Sequence, residues 1–219
     1  MLTHWRFLRR YLDKPQMVGA VAPSSSALAA ALCEPYARCR HPARVLEVGA
    51  GTGAITRHLG TLLKPTDELD VCEIDPVFAG LLEREVLGGA PLAPAVAQGR
   101  VRLLCMPVQD IAAVGHYDFV VSGLPLTAFP LRAVHDVLTV IRHCLKPGGV
   151  FSYFEYVGLR RVVRTLALGE ERRRIRYVSE YLNRQIRKYQ FAERTVLPNV
   201  PPARARYLRF TAAPTMTTS

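Results

Sequence analysis

The run Val45-Leu46-Glu47-Val48, followed at once by Gly49-Ala50-Gly51-Thr52-Gly53 and a helical stretch from Ala54, constrains this chain more than any other feature. A β-branched strand, a turn with three glycines and a helix start form a unit suited to cradling a ligand. The glycines permit positive φ and let a ligand approach the backbone, and the helix start offers N–H groups with no intrahelical partner. From Ala43 onward the alternation continues. Val45–Val48, Leu69–Ile74, Val101–Cys105, Phe119–Ser122 and Val150–Tyr156 read as strands, with Thr56–Leu63, Val77–Val86 and Leu131–Leu145 as helices between them. Strands spaced by helix-length segments imply βαβ units, hence an α/β fold with a mostly parallel sheet and helices on both faces. Lys146-Pro147-Gly148-Gly149 stops the last helix and turns the chain. Phe191–Val196 and Tyr207–Phe210, around Pro198-Asn199-Val200-Pro201-Pro202, read as a closing antiparallel hairpin.

Gly49, Gly51 and Ala54 also satisfy the dinucleotide fingerprint G-x-G-x-x-A. Glu47 argues against that ligand, because a carboxylate two residues before the first glycine opposes a pyrophosphate and suits a cation. A third glycine follows at Gly53, and the strand begins only after a lead of some 43 residues. The pattern E-x-G-x-G-x-G resembles motif I of the class I methyltransferases that use S-adenosylmethionine, a family with a Rossmann-like, seven-stranded sheet. The second strand ends Cys72-Glu73-Ile74-Asp75-Pro76, placing Glu73 22 residues past Gly51, where a carboxylate accepts ribose hydroxyls. Asp75 is the alternative at that point. The resemblance implies S-adenosylmethionine as cofactor, held by Glu47, Gly49, Ala50, Gly51, Gly53, Glu73 and Ile74. Val108 after the third strand and Ser24 and Ser25 before the first complete the set. Proline, at Pro107, stands where the family has an adenine-binding acid, which leaves the adenine to backbone, Gln109 or Asp110.

Ligands of open parallel sheets sit beyond the carboxyl ends of the strands. The fourth strand ends there in Ser122-Gly123-Leu124-Pro125-Leu126. Amino-directed nucleic-acid methyltransferases carry N/D-P-P-Y or N-L-P-Y at this place, and Leu126 lacks the ring that stacks a base. The apolar continuation Ala128-Phe129-Pro130 suits an acyl chain instead. Gly19-Ala20-Val21-Ala22-Pro23-Ser24-Ser25, the glycine turn, Ser122–Leu126 with Phe129-Pro130, Tyr153-Phe154-Glu155-Tyr156 and Asn199-Val200-Pro201-Pro202-Ala203 together resemble the bacterial phospholipid N-methyltransferases. That resemblance implies stepwise methylation of phosphatidylethanolamine toward phosphatidylcholine. The long basic stretch Gly169–Lys188 departs from the family's compact form and makes ornithine lipid a substitute substrate. An rRNA adenine-N6 methyltransferase is the other alternative. In the lipid reading Glu155, Tyr153 and Ser122 are catalytic candidates, Glu155 as proton acceptor. Leu124, Pro125, Phe129, Tyr156, Asn199 and Arg204 are substrate-binding candidates, with Arg204 or Arg206 on a lipid phosphate.

The chain has 219 residues with 29 Lys+Arg against 18 Asp+Glu, a formal net charge of +11, and the partner follows from where that charge lies. On a helical wheel of residues 4–14, Trp5, Phe7, Leu8 and Tyr11 share one arc with Leu12, while Arg6, Arg9 and Arg10 face the other side with Lys14. Rings opposite guanidinium groups fit an interfacial helix on anionic lipid. Residues 159–190 hold ten Lys+Arg against three Glu, and Ile175, Val178, Leu182, Ile186 and Tyr189 recur at helical spacing, so a second basic amphipathic helix is expected. Residues 1–42 thus form an N-terminal lead and 43–219 the catalytic domain, with the basic helical insertion at about 159–190. Five scattered cysteines without a C-x-x-C pair exclude a disulfide framework and a zinc site, and no metal is expected. The uncharged run from Pro15 to Cys33 contains Pro23 and three serines and does not read as a membrane span or a secretion signal. The expectation is a monomeric cytoplasmic enzyme attached peripherally to the inner leaflet, with a lipid substrate and no nucleic-acid partner.

Overall fold

The computed structural model describes residues 25–157 and 169–210. The elements run α1 (Ser26–Ala37), β1 (Arg44–Val48), α2 (Ala54–Leu62), β2 (Glu68–Cys72), α3 (Pro76–Leu82), α4 (Ala93–Ala97), β3 (Val101–Leu104), β4 (Tyr117–Ser122), α5 (Leu131–Cys144), β5 (Leu145–Tyr156), α6 (Gly169–Tyr189), β6 (Gln190–Val196) and β7 (Ala203–Arg209). They build one seven-stranded sheet in the order β3-β2-β1-β4-β5-β7-β6. β1 to β5 are parallel to one another, and β7 is antiparallel to both β5 and β6. The expected Rossmann-like sheet with its antiparallel hairpin is therefore present.

Alternation along the strands sends side chains to two cores. Val45, Val71, Val121 and Phe154 meet Leu28 and Leu32 of α1 and Leu59 of α2 on one face. Leu46, Val48, Phe151 and Tyr153 meet Val134 and Leu138 of α5 and Val178 and Leu182 of α6 on the other. α1 starts where the Ser25 hydroxyl accepts from Leu28 N–H at 3.1 Å. It is pinned at its far end by the Tyr36 hydroxyl, which donates to Asp67 Oδ2 at 2.7 Å.

Four expectations are corrected. The helix of Val77–Val86 gives way after Leu82 to a π-helical turn over Glu83–Leu87. Lys146-Pro147-Gly148-Gly149 does not separate helix from strand. It bulges within β5, with Gly148 at φ +80, while the register slips from Tyr117↔Leu145 to Phe119↔Val150. β7 begins at Ala203, earlier than Tyr207. The apolar stripe of α6 does not face outward, because Ile175, Val178 and Leu182 are buried in the protein's own core. The residues expected to form an N-terminal helix, Trp5, Arg6, Phe7, Leu8, Arg9, Arg10 and Tyr11, together with Ser24 and the first part of the basic insertion, lie outside the described residues. Among the described residues no helix is long and apolar enough to cross a membrane, and no group of three or more His, Cys, Asp and Glu is placed to hold a metal ion.

Candidate active site

The strand order reverses between β1 and β4, and two loops meet backbone to backbone in the crevice this leaves. Gly49 donates to the Cys72 carbonyl at 2.9 Å, and Gly123 to the Val48 carbonyl at 2.9 Å. A Cβ on Gly49 would stand 2.3 Å from Leu124 Cδ2, and one on Gly123 would stand 2.4 Å from the Gly49 oxygen. Gly49, Gly51 and Gly53 all take positive φ, at +73°, +55° and +82°. Conformation therefore favours glycine at all three positions, and space excludes a side chain at Gly49, whereas a Cβ on Gly51 would meet nothing within 4 Å.

Two carboxylates flank this turn. Glu73 accepts from Gly51 N–H at 2.7 Å through Oε2 and from Asp75 N–H at 2.9 Å through Oε1. Each oxygen keeps a lone pair, so the oriented group can still accept two hydroxyls. Asp75 caps α3 by accepting from Val77 N–H at 2.8 Å through Oδ1, so Glu73 is the one of the two acids held against the glycine turn. Glu47 is fully buried beneath the turn, and neither of its oxygens has a hydrogen-bond partner among the described residues. Burial without a partner pushes its carboxyl up to about 8, with the Glu73 charge adding to the rise. Thr56 at the start of α2 pulls the other way, although its buried hydroxyl closes no hydrogen bond of good geometry.

Beyond the turn a cavity of about 50 Å³ is lined by Ile74, Met106, Val108, Gln109, Leu124 and Phe129, with Ala133 and Val137 of α5 behind them. The mostly apolar lining suits a ring. Ile74 and Val108 are expected on the cofactor and Gln109 is one of the adenine alternatives, whereas Leu124 and Phe129, expected on the substrate, line the same cavity. Met106, Ala133 and Val137 were not expected, and the i, i+4 spacing of the last two was their one signal. Ala50 lines the turn with its amide 3.4 Å from the Cys72 carbonyl, and Pro125 opens the short 3-10 turn Leu126–Ala128 beneath the cavity.

Ser122 is corrected from a reacting to a supporting position. It is fully buried, and its Oγ accepts from Leu124 N–H at 3.2 Å, holding the loop over Gly49. The carboxyl end of β5 carries a linked set. The Tyr153 hydroxyl donates to Glu155 Oε1 at 3.2 Å, and Glu155 Oε2 accepts from Arg206 Nε at 3.0 Å. Arg206 also donates to Gln190 and Glu193 at 2.7 and 2.8 Å, so it is committed inward and is not the free phosphate ligand expected of it. Arg204 pairs with Glu193 at 3.4 Å. Tyr156 lies on the opposite face, packed edge-on against Phe154. Asn199 is buried, with Oδ1 accepting from Ser25 N–H at 3.2 Å and Nδ2 donating to the Pro201 carbonyl at 2.7 Å, which ties the β6–β7 loop to the start of α1.

A glycine turn at the switch point, an oriented acid after β2 and a buried acid before the turn define a class, and the comparisons agree with it. The methyltransferase-domain family profile matches residues 46–151, and that of protein-L-isoaspartate(D-aspartate) O-methyltransferase matches residues 3–75. The chain belongs to the class I S-adenosylmethionine-dependent methyltransferases. It is 34% identical over 148 residues, 67% of its length and 74% of the relative's, to an ornithine lipid N-methyltransferase of Singulisphaera acidiphila. In fold it resembles the Burkholderia thailandensis 1,6-didemethyltoxoflavin-N1-methyltransferase solved with S-adenosylhomocysteine. The TM-score is 0.56 at 19% identity, covering 95% of this chain and 87% of that one. P. horikoshii TYW2, solved with MeSAdo, gives 0.54 at 14% identity over 88% and 67%. Glu47 with no hydrogen-bond partner among the described residues, the positive-φ glycines of the turn and the apolar cavity beyond it all fit the family's cofactor.

Proposed function

We propose that this protein transfers methyl groups from S-adenosylmethionine to the amine of a membrane lipid, with ornithine lipid the first substrate and phosphatidylethanolamine the second. The observation that carries this reading is the 34% identity to an ornithine lipid N-methyltransferase across two thirds of the chain. Within the site, Glu47 supplies negative charge to the cationic amino-acid end of the cofactor, Glu73 accepts the ribose hydroxyls, and the cavity of Ile74, Val108 and Leu124 takes the adenine. When bound, the sulfonium supplies an already activated methyl group, so the residues around it chiefly align the amine and exclude water. Phe129 and Leu124 form the apolar wall along which the lipid lies.

The amine must arrive neutral. Deprotonating an alkylammonium of pKa about 10.4 near pH 7.5 costs about 4 kcal/mol. Glu155 is held by Arg206, which supports proton loss to water before docking, with Tyr153 and Glu155 orienting the headgroup. The commitment of Arg206 also favours ornithine lipid, which carries no phosphodiester to neutralise.

Purified protein with labelled S-adenosylmethionine, offered anionic vesicles containing either lipid and separately rRNA, tests the proposal. Label is expected in the lipid extract, more strongly with ornithine lipid. Label in RNA alone would overturn it.

A further inference from the structure

The loop between β6 and β7 is built the wrong way round for a surface facing water. Leu197 is 73% exposed and Val200 79% exposed, while Asn199 between them is 4% exposed. Solvated loops ordinarily show the amide and hide the aliphatics. The inversion is held in place, since the Asn199 side chain is used inward on Ser25 and Pro201, and Val157 N–H donates to the Pro202 carbonyl at 2.7 Å. Isolated apolar side chains on a surface need no explanation, but two on one braced loop, with Val157 also 44% exposed beside its anchor, make a local apolar rim.

Topology gives this rim its place. β6 and β5 are both antiparallel to β7, so β6 ends at the same sheet edge as β5 and the cofactor crevice. α6 runs directly into the start of β6, which places its first turns toward that edge. Arg174 there donates to the Ala128 and Phe129 carbonyls beyond β4, both at 2.9 Å. Arg172 and Arg173 beside it are exposed, with Glu170 the exposed acid nearby. Apolar tips and cations at one edge match an anionic lipid leaflet, whose acyl boundary takes the former and whose phosphates take the latter.

We propose that the β6–β7 loop is an interfacial wedge: Leu197 and Val200 enter the acyl boundary of an anionic leaflet while Arg172 and Arg173 meet its phosphates. The crevice mouth is thereby held against the headgroup layer. The proposal rests on the lipid-amine reading of the site and adds to it an apolar surface that the buried stripe of α6 does not supply.

The test places the chain's single indole on the loop, in a Trp5→Phe/Leu197→Trp variant, with vesicles of phosphatidylethanolamine and phosphatidylglycerol, plain or brominated along the acyl chain. The expected result is a water-exposed emission that shifts to the blue on vesicle addition and is quenched by bromine. In parallel, Leu197→Ser/Val200→Ser lowers vesicle partition about a hundredfold or more, the loss of two inserted aliphatic side chains, and leaves methylation of a detergent-dispersed lipid amine intact. Unchanged emission on vesicles that carry the protein down in sedimentation would overturn the wedge and leave the substrate reading standing. So would an emission already blue before lipid is added, which assigns the loop to packing by its own chain. An indole that enters the bilayer in a protein that methylates no lipid amine would uphold the wedge and remove the substrate reading.

Discussion

A carboxyl group sealed beneath a glycine turn with neither oxygen hydrogen-bonded opposes folding unless it keeps its proton. At Glu47 the sign is definite. Below its ordinary value of 4.5 the group is protonated in folded and unfolded chains alike, and it costs nothing. Between 4.5 and about 8 the unfolded chain has released a proton that the folded one retains, so ligand-free stability falls as pH rises through that window and levels off above it. The groups around it, Glu73, Thr56 and Cys33 of α1, bring no positive charge to offset this. Glu47→Gln is therefore expected to flatten the pH dependence of the ligand-free melting temperature and to raise that temperature at pH 8. Cofactor affinity, which uses the ionised form, should weaken by one to two orders of magnitude, as when one member of a buried charge pair is removed. Thermal scans across this pH range and titration calorimetry with S-adenosylmethionine read the two effects. Identical pH slopes in both proteins would assign the titration to another group.

At the level of elements, α6 shows what a periodic pattern conveys and what it withholds. Helical spacing of Ile175, Val178, Leu182, Ile186 and Tyr189 was legible, but the stripe alone does not distinguish a bilayer from the protein's own core. The structure places Val178 and Leu182 against Phe151 and the α5 face. Leu182→Ala is accordingly expected to cost about 2–5 kcal/mol in denaturant unfolding of the lipid-free protein. A helix with an outward stripe would lose almost nothing in solution. The strands rich in β-branched residues, β1 and β4 above all, could be read directly. β7 was read short because Ala203-Arg204-Ala205-Arg206 alternates with period two yet has no strand-forming side chain to announce it. Glu73 was legible from its spacing. Arg206 was misplaced because only the register, Tyr153↔Arg206 and Glu155↔Arg204, brings it to Glu155. Met106 meets Ala133 and Val137 only where α5 packs against the turn that follows β3, a meeting that the i, i+4 spacing of the last two does not encode.

Across the whole molecule the formal charge of +11 is unevenly placed, and the outward side of α6 carries much of it. Arg172, Arg173, Arg176, Arg184, Arg187 and Lys188 are all exposed, while the facing acid, Glu180, lies 3.8 Å from Arg176. Because the stripe beneath them is buried, and Tyr177 is the large ring this helix exposes among the described residues, α6 would meet a membrane chiefly through charge, whereas the proposed β6–β7 wedge would act through apolar contact. The two contributions separate by salt. The screening length falls from about 10 Å at 0.1 M to about 3 Å at 1 M, so attraction between exposed cations and anionic headgroups fades while the apolar contribution persists. Vesicle sedimentation of the full chain is expected to drop steeply over that range with anionic vesicles, reaching the low, salt-independent level seen with zwitterionic ones. Replacing Arg172 and Arg173 with Gln should reduce the salt slope and leave the plateau unchanged. Leu197→Ser/Val200→Ser should lower the plateau and leave the slope unchanged. A single substitution set that moved both together would mean that charge and apolar contact act through one surface, and that α6 lies flat against the leaflet beside the loop.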